Sequence, residues 1–316
     1  MGPMLPTVLL SPLHLDPSVT STVVAVGNFD GVHLGHAPLL ARLVELARAR
    51  GSHPLVYTFD PLPQEILRPL EQPTRLQAID DRVCCLGEKG VEFVCLERFS
   101  RAYASHSARW FVEELLVRRL RAVGVVVGYD FRFGRDREGD TAFIHQVRPE
   151  MEVAEISAFA DADGVISSSR IRAHVQSGDV EGAARLLGRP HRICGAVVMG
   201  DRRGRQIGFP TANVDISAGL VPARGVYAVR AQVDDGEVLL GVANIGSRPT
   251  FSGSDVRCEV HLLDVSIGPE ALYGRSICVA FVARLRDEQR FASAADLFRG
   301  IVRDVRSARK VLERVT

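Results

Sequence analysis

The chain has 316 residues, 39 basic against 38 acidic side chains and a formal net charge of +1, a balance that weighs against a broadly basic nucleic-acid binder. Its 46% hydrophobic and 24% charged residues are those of an ordinary globular protein, long enough for two domains. No apolar stretch reaches the roughly 18 residues of a membrane span. The opening MGPMLPTVLLSPLHL lacks a basic n-region and a small-residue cleavage site, so it reads as an irregular lead-in and the protein is expected in the cytoplasm. The cysteines Cys84, Cys85, Cys95, Cys194, Cys258 and Cys278 form no CxxC pair and read as small buried hydrophobes of a reducing compartment.

In chain order, TVVAVGNFDG reads as a strand and PLLARLVELARARG as an amphipathic helix ending at Gly51. PLVYTFDP is a second strand and VEFVCLERF a third, with a helical stretch around DRVCCLGEKG between them. WFVEELLVRRL is helical, and AVGVVVGYDF and MEVAEISAF are strands. Near-continuous apolar strands alternating with helices predict an α/β domain, a parallel sheet covered on both faces and doubly wound in the Rossmann-like manner. SSSRIRAHVQSGDVEGAARLLGRP then reads as two short helices, parted at Ser177-Gly178-Asp179 and stopped by Gly188 and Pro190. From Ile193 onward the rhythm is short strands and turns, with a hairpin signal at the DDG between AVRAQV and EVLLGV. SAADLFRGIVRDVRSARKVLERV closes the chain as a helix. The expectation is a small β-barrel with one closing helix, and domains over 1–187 and 188–316.

In open α/β sheets ligands bind beyond the carboxyl ends of the strands. GNFDGVHLGH, 27–36, lies at such an end. Gly27, Gly31 and Gly35 permit close backbone approach, and the start of the following helix favours an anion. His33 and His36, three apart, share a face if that first turn is helical. Two imidazole donors there suit negative charge developing on a phosphoryl group. A metal pair needs further ligands, and none sits at a telling distance. Spacing alone favours a structural turn. Two other stretches bear on it: VVVGYDFRFGRDREGD opens a polar loop with Asp130 at its mouth, and ISSSRIR places Ser168 and Ser169 at a helix start with Arg172 one turn inside. The latter is a plain N-cap by itself, and a second phosphate clamp if the two roles coexist.

With TFDP, GYDFRFG and ISSSRIR in this order, Gly27–His36 resembles the GxFDGxHxGH signature of nucleotidylyltransferases, in the form found in the FMN adenylyltransferase module of bacterial bifunctional riboflavin kinase/FAD synthetase. The resemblance implies that FMN phosphate attacks the α-phosphate of ATP, releasing pyrophosphate and leaving FAD. His33 and His36 would stabilise the transition state, and Gly27, Phe29, Asp30 and Gly35 would form the nucleotide loop. Ser168, Ser169 and Arg172 would hold ATP phosphates, with Asp130 near nucleotide or flavin. Two positions depart from the family: Leu62 replaces a histidine in TFDPLP, and Ala37 a common glutamine. They motivate an alternative in which the first half only binds flavin nucleotide or ATP and is weakly active or regulatory.

In the second half, GDRRGRQIGFPTANV combines Gly200, Gly204 and Gly208 with Arg202, Arg203 and Arg205, either a phosphate-wrapping loop or a solvated basic hairpin. Thr211 and Asn213 alternate on one strand and project neutral oxygens to one face. With ATP phosphates these suit Mg²⁺, though ordinary turn residues would look the same. Glu259 and His261 share a face of CEVHLLD, where the carboxylate is either a general base or a surface group. GDRRGRQIGFPTAN, GVYAV, GVANIGSRPTF, EVHLLD, LYG and LRDEQRF together resemble the riboflavin kinase module. That implies a six-stranded Greek-key barrel in which Glu259 activates the riboflavin 5′-hydroxyl toward the γ-phosphate of ATP. Thr211 and Asn213 would then help hold Mg²⁺, Gly200, Arg203 and Gly204 would line the phosphates, and Arg286 would lie near the flavin. His191 stands where the family has tyrosine, at a linker position read as tolerant. The implied ligands are riboflavin, FMN, FAD, ATP, ADP and pyrophosphate, without nucleic acid or membrane, in a monomer or weak homo-oligomer.

Overall fold

A computed structural model describes residues 5–68, 75–199, 208–217, 219–234, 236–250, 253–264 and 269–314. Gly200, Arg203 and Gly204 therefore lie outside the described residues. Contacts divide the chain into two compact units, one of residues 1–73 and 79–167 and the other of 74–78 and 168–316.

The first unit holds a six-stranded parallel sheet in the order β1-β4-β3-β2-β5-β6. The strands are β1 (Thr7–Leu9), β2 (Thr22–Val26), β3 (His53–Phe59), β4 (Phe93–Glu97), β5 (Ala122–Gly128) and β6 (Glu152–Ile156). Strand β1 corrects the reading of the opening as irregular. With three residues it is too short to show a period, and its pairing with β4 defines it. The helices are α1 (Ala37–Ala49), α2 (Pro63–Leu67), α3 (Ile79–Gly87), α4 (Arg101–Ala104), α5 (Ala108–Trp110), a nine-residue helix over Phe111–Arg119, and α6 (Thr141–Val147). A small hairpin, β7 (Ala160–Asp161) with β8 (Gly164–Val165), follows the sheet.

Side-chain alternation builds two cores. Val23 and Ala25 of β2 face Leu39, Leu40 and Leu43 of α1, whereas Val24 and Val26 face Phe111, Val112 and Leu115 on the other side. Strands buried on both faces need apolar residues at nearly every position, which is why they read as continuous hydrophobic runs.

The second unit begins with α7 (Ser168–Ser177) and α8 (Val180–Leu187). The Asp179 carboxylate accepts from Gly182 N–H at 2.8 Å at the head of α8, and Gly188 takes the left-handed φ of 76° that ends it. These helices pack with the barrel: Val180 is buried in the barrel core and Ala223 N–H bonds Val175 O.

The barrel closes antiparallel in the order β10-β13-β12-β11-β14-β9. Its strands are β9 (His191–Val198), β10 (Ala212–Val214), β11 (Gly225–Val233), β12 (Val238–Thr250), β13 (Gly253–Leu262) and β14 (Ser276–Arg286). The β11–β12–β13 meander with β10 beside β13 is a Greek-key arrangement. The C-terminal helix, Ala294–Leu312, has its Asp296 N–H capped by Ser293 Oγ at 3.1 Å. It lays Ala308 and Leu312 over Val226, Ala228 and Val242 on the barrel's outside. His191, read as tolerant, is buried, with Nε2 at 2.7 Å from Leu220 O.

The cysteine reading needs one correction. Cys194 of β9 and Cys278 of β14 are direct cross-strand partners and form a disulfide, while Cys84, Cys85, Cys95 and Cys258 remain thiols. Residues 84 apart in sequence meet only through barrel register, which no local pattern reveals. Mass analysis after alkylation without reductant should find this one bridge. Cys194→Ser with Cys278→Ser should then lower barrel stability by about 2–4 kcal/mol in denaturant titration.

Candidate active sites

In the first unit the strand order reverses between β2 and β5: the chain moves from β2 through β3 to β4 on one side, then returns to β5 and β6 on the other. Such a switch point leaves a crevice at the carboxyl ends of the two neighbours. Gly27–His36 leaves β2 there, and Asp130 follows β5. Asp130 is exposed, and its carboxylate lies back over Gly128, 3.5 Å from where a Cβ would stand.

The turn out of β2 is tight. Phe29, Gly31 and Val32 have φ of 47°, 88° and 38°. A β-branched residue at positive φ is a genuine strain. Phe29 and Val32 are nevertheless both buried, and Val32 N–H closes on Phe29 O at 3.1 Å. A short turn over Leu34–His36 then runs into α1.

His33 and His36 come together as the spacing predicts. Their rings stack at 3.7 Å with an interplanar angle of 21°, and the Phe29 ring lies 5.1 Å from that of His36. His33 N–H donates to His36 Nδ1 at 3.2 Å. A neutral His36 therefore carries its proton on Nε2, where it serves as a donor. Burial first, and the neighbouring His33 second, hold the His36 pKa well below the usual histidine value. Gly35 is required by close approach: a Cβ would stand 2.9 Å from the His33 ring and 2.8 Å from Ile166 O.

Asp30 is buried in the same turn. Leu62, at the head of α2, is also buried and offers no polar side-chain group; its backbone N–H donates to Glu65 Oε2 at 2.8 Å. Ala37 is the first residue of α1. Ser168 and Ser169 form the first turn of α7 in the second unit, Ser169 exposed and Arg172 buried.

An aromatic wall at the ends of β3 and β4 went unread in the sequence. The Phe59 ring meets Tyr57 and Phe99 edge-on at 5.5 Å each, and Tyr103 at 6.0 Å. These rings come from two strand ends and α4, so no single stretch displays them. TFDP and the Phe99 that ends VEFVCLERF were the available signals.

In the barrel, Asn213 of β10, Glu259 of β13 and Asn244 of β12 lie in one lateral row. Their neighbours Ala212, Val214, Cys258, Val260, Ala243 and Ile245 form the interior, so the row faces outward. Thr211 lies two residues before Asn213, and both are half-buried. His261 Nδ1 is 2.9 Å from Pro210 O, fixing the turn that leads to Thr211. Asn244 and Glu288 are additions to the sequence reading: a Cβ on Gly246 would stand 3.1 Å from Asn244 Nδ2 and 2.9 Å from Glu288 Oε1. Arg286 is held by Asp304 of the C-terminal helix through Nε at 2.9 Å and Nη2 at 2.7 Å, with its guanidinium 5.6 Å from the Phe291 ring.

Residues 16–170 match the family model of FAD synthetase, and residues 187–312 that of riboflavin kinase. A bifunctional riboflavin kinase/FMN adenylyltransferase of Escherichia coli (strain K12) is 42% identical over 91% of this chain and 92% of its own. The chain belongs to the bifunctional riboflavin kinase/FMN adenylyltransferase family. A second member, from Pseudomonas fluorescens, is 42% identical over 95% of this chain and 96% of its own. The crystal structure of a protein described as a macrolide-efflux protein of Streptococcus pneumoniae superposes with a TM-score of 0.86 at 30% identity. It covers 97% of this chain and 99% of that one. Among the described residues of this family member, no helix is long and apolar enough to cross a membrane.

A histidine held neutral by folding has a defined pH signature. As pH falls below the unfolded value of about 6.5, the unfolded chain takes up a proton that folded His36 resists, so stability is lost on the acid side. Trp110, the sole tryptophan, reports on the first unit. By its fluorescence, the stability advantage of wild type over His36→Gln should shrink between pH 7 and pH 5.

Proposed function

We propose that the chain carries out both reactions of its family, making FMN from riboflavin and ATP at the barrel and FAD from FMN and ATP at the first unit. The observation that carries the first-unit assignment is the stacked His33–His36 pair at the β2/β5 switch point. In adenylyl transfer an ionised FMN phosphate oxygen attacks the α-phosphorus of ATP, the bond to the bridging oxygen breaks, and pyrophosphate leaves. The nucleophile is already deprotonated, so the step calls for donors rather than a base. The neutral His36 Nε2–H and the His33 imidazole supply them at the oxygens where charge builds. The same logic explains why Leu62, which offers no polar side-chain group, is compatible with the reaction. The binding-only alternative is not favoured, since the relatives named for both activities match over nearly the whole chain. The Phe59–Phe99–Tyr103 wall suits the face of a fused aromatic ring. Ser168, Ser169 and Arg172 are assigned to ATP phosphates on the ISSSRIR motif, and Gly200, Arg203 and Gly204 on theirs.

At the barrel, Glu259 accepts the proton of the riboflavin 5′-hydroxyl as its oxygen attacks the γ-phosphorus, and ADP leaves. Thr211 and Asn213 would hold Mg²⁺: they are half-buried, hard neutral oxygen donors two residues apart beside Glu259. Bound with ATP, the ion would spread phosphate charge. Arg286, tied to Asp304, positions the segment beside the flavin. We place the enzyme in the cytoplasm as a monomer or weak homo-oligomer, with flavins, adenine nucleotides and pyrophosphate as its ligands.

Purified protein given riboflavin, Mg²⁺ and ATP should yield FMN and then FAD on chromatographic separation. Glu259→Gln should cut FMN formation by about 100-fold or more while sparing FAD formation from supplied FMN. His33→Ala should do the reverse. If either variant depresses both reactions equally, the two-site assignment fails.

A further inference from the structure

Arg82, in α3, is only 2% exposed. Its Nη1 donates to Asn28 O at 2.8 Å and its Nη2 to Phe59 O at 2.9 Å. The two carbonyls lie just past the point where the β2/β3 ladder ends at Val26 and Tyr57. Asn28 O also accepts from Thr58 Oγ1 at 3.1 Å. One buried fork thus ties together the ends of the two strands. The peptide it grips at Asn28 is the last before the run of positive φ at Phe29, Gly31 and Val32 that delivers His33.

A backbone in sparsely populated conformations persists only where its surroundings over-determine it. Backbone carbonyls beyond a ladder also need other donors when buried. A planar guanidinium meets both needs because its donors diverge at a fixed angle, which an ammonium cannot reproduce. We propose that Arg82 is a positioning residue for adenylyl transfer: by clamping Asn28 and Phe59 it holds the strained turn in the register that presents His33 and His36. The proposal rests on the reading of Gly27–His36 as the adenylyl-transfer site. It adds a residue outside every motif of that reading.

The test compares Arg82→Met, Arg82→Lys and His33→Ala in the full chain. Riboflavin kinase activity serves as a control on the second unit, and Trp110 fluorescence as a measure of the folded first unit. A misplacement on the order of 1 Å costs about 100-fold, so folded Arg82→Met should lose about that factor in kcat for FAD formation. Its KM for ATP should change by less than about threefold, since the effect falls on the transition state. Kinase turnover should be unchanged. Arg82→Lys, which can donate to one carbonyl at a time, should recover about tenfold of the loss.

Arg82→Met with near-wild-type kcat overturns the proposal. So does a loss that vanishes when activity is expressed per folded first unit, since that marks a purely structural role. Should Arg82→Met not fold, folded Arg82→Lys decides: reduced kcat at unchanged KM supports the clamp, and wild-type kcat overturns it. If His33→Ala leaves FAD formation intact, the site reading itself has failed and the clamp falls with it. Loss in His33→Ala without loss in Arg82→Met rejects the clamp alone.

Discussion

A parallel sheet brings all its carboxyl ends to one edge, and only where the strand order reverses do adjacent connections diverge and leave that edge open. Here the reversal lies between β2 and β5. The candidate site of the first unit hangs on that position. The turn after β2 enters the gap with two imidazoles and the head of α1, and the loop carrying Asp130 leaves the neighbouring β5 at the same edge. The sheet can be covered by helices on both faces and still leave these groups in reach of a ligand.

The price of that placement is conformational strain and desolvation in the same ten residues. Phe29 and Val32 accept positive φ because their side chains are buried, and Gly35 lacks a Cβ because the His33 ring lies against it. Desolvation keeps His36 neutral, so that it donates from Nε2 instead of carrying a standing charge. In the proposed adenylyl transfer, such a neutral donor would stabilise charge that appears in the transition state without binding the ground-state polyphosphate equally strongly, which is the discrimination catalysis requires.

The barrel solves a different problem. Closing six strands removes open edges and leaves an outer face on which Asn213, Glu259 and Asn244 align across three strands. The interior is apolar and rigid, so the polar row rests on a fixed support. The C-terminal helix covers an apolar part of the outside and is tied back by Arg286 to Asp304. Asp304 is buried, and a buried carboxylate is tolerated there because a bidentate guanidinium faces it.

Much was legible in one dimension. Periodicity located β2 to β6 and β9 onward, together with α1, α8 and the C-terminal helix, because burial repeats with the geometry of the backbone itself. The histidine pair was legible because its members are three apart in one turn, and the family resemblance rested on contiguous motifs. What sequence could not show depends on contacts between distant segments. Strand β1 exists through its pairing with β4, and the Cys194–Cys278 bridge through barrel register. The aromatic wall is assembled from separate strand ends and α4, and Asn244 joins Glu259 only because β12 lies beside β13. Arg82 looks like one more helix cation until folding buries it beneath two carbonyls. Local order set the elements and the reactive groups; long-range register and burial decided which of those groups meet.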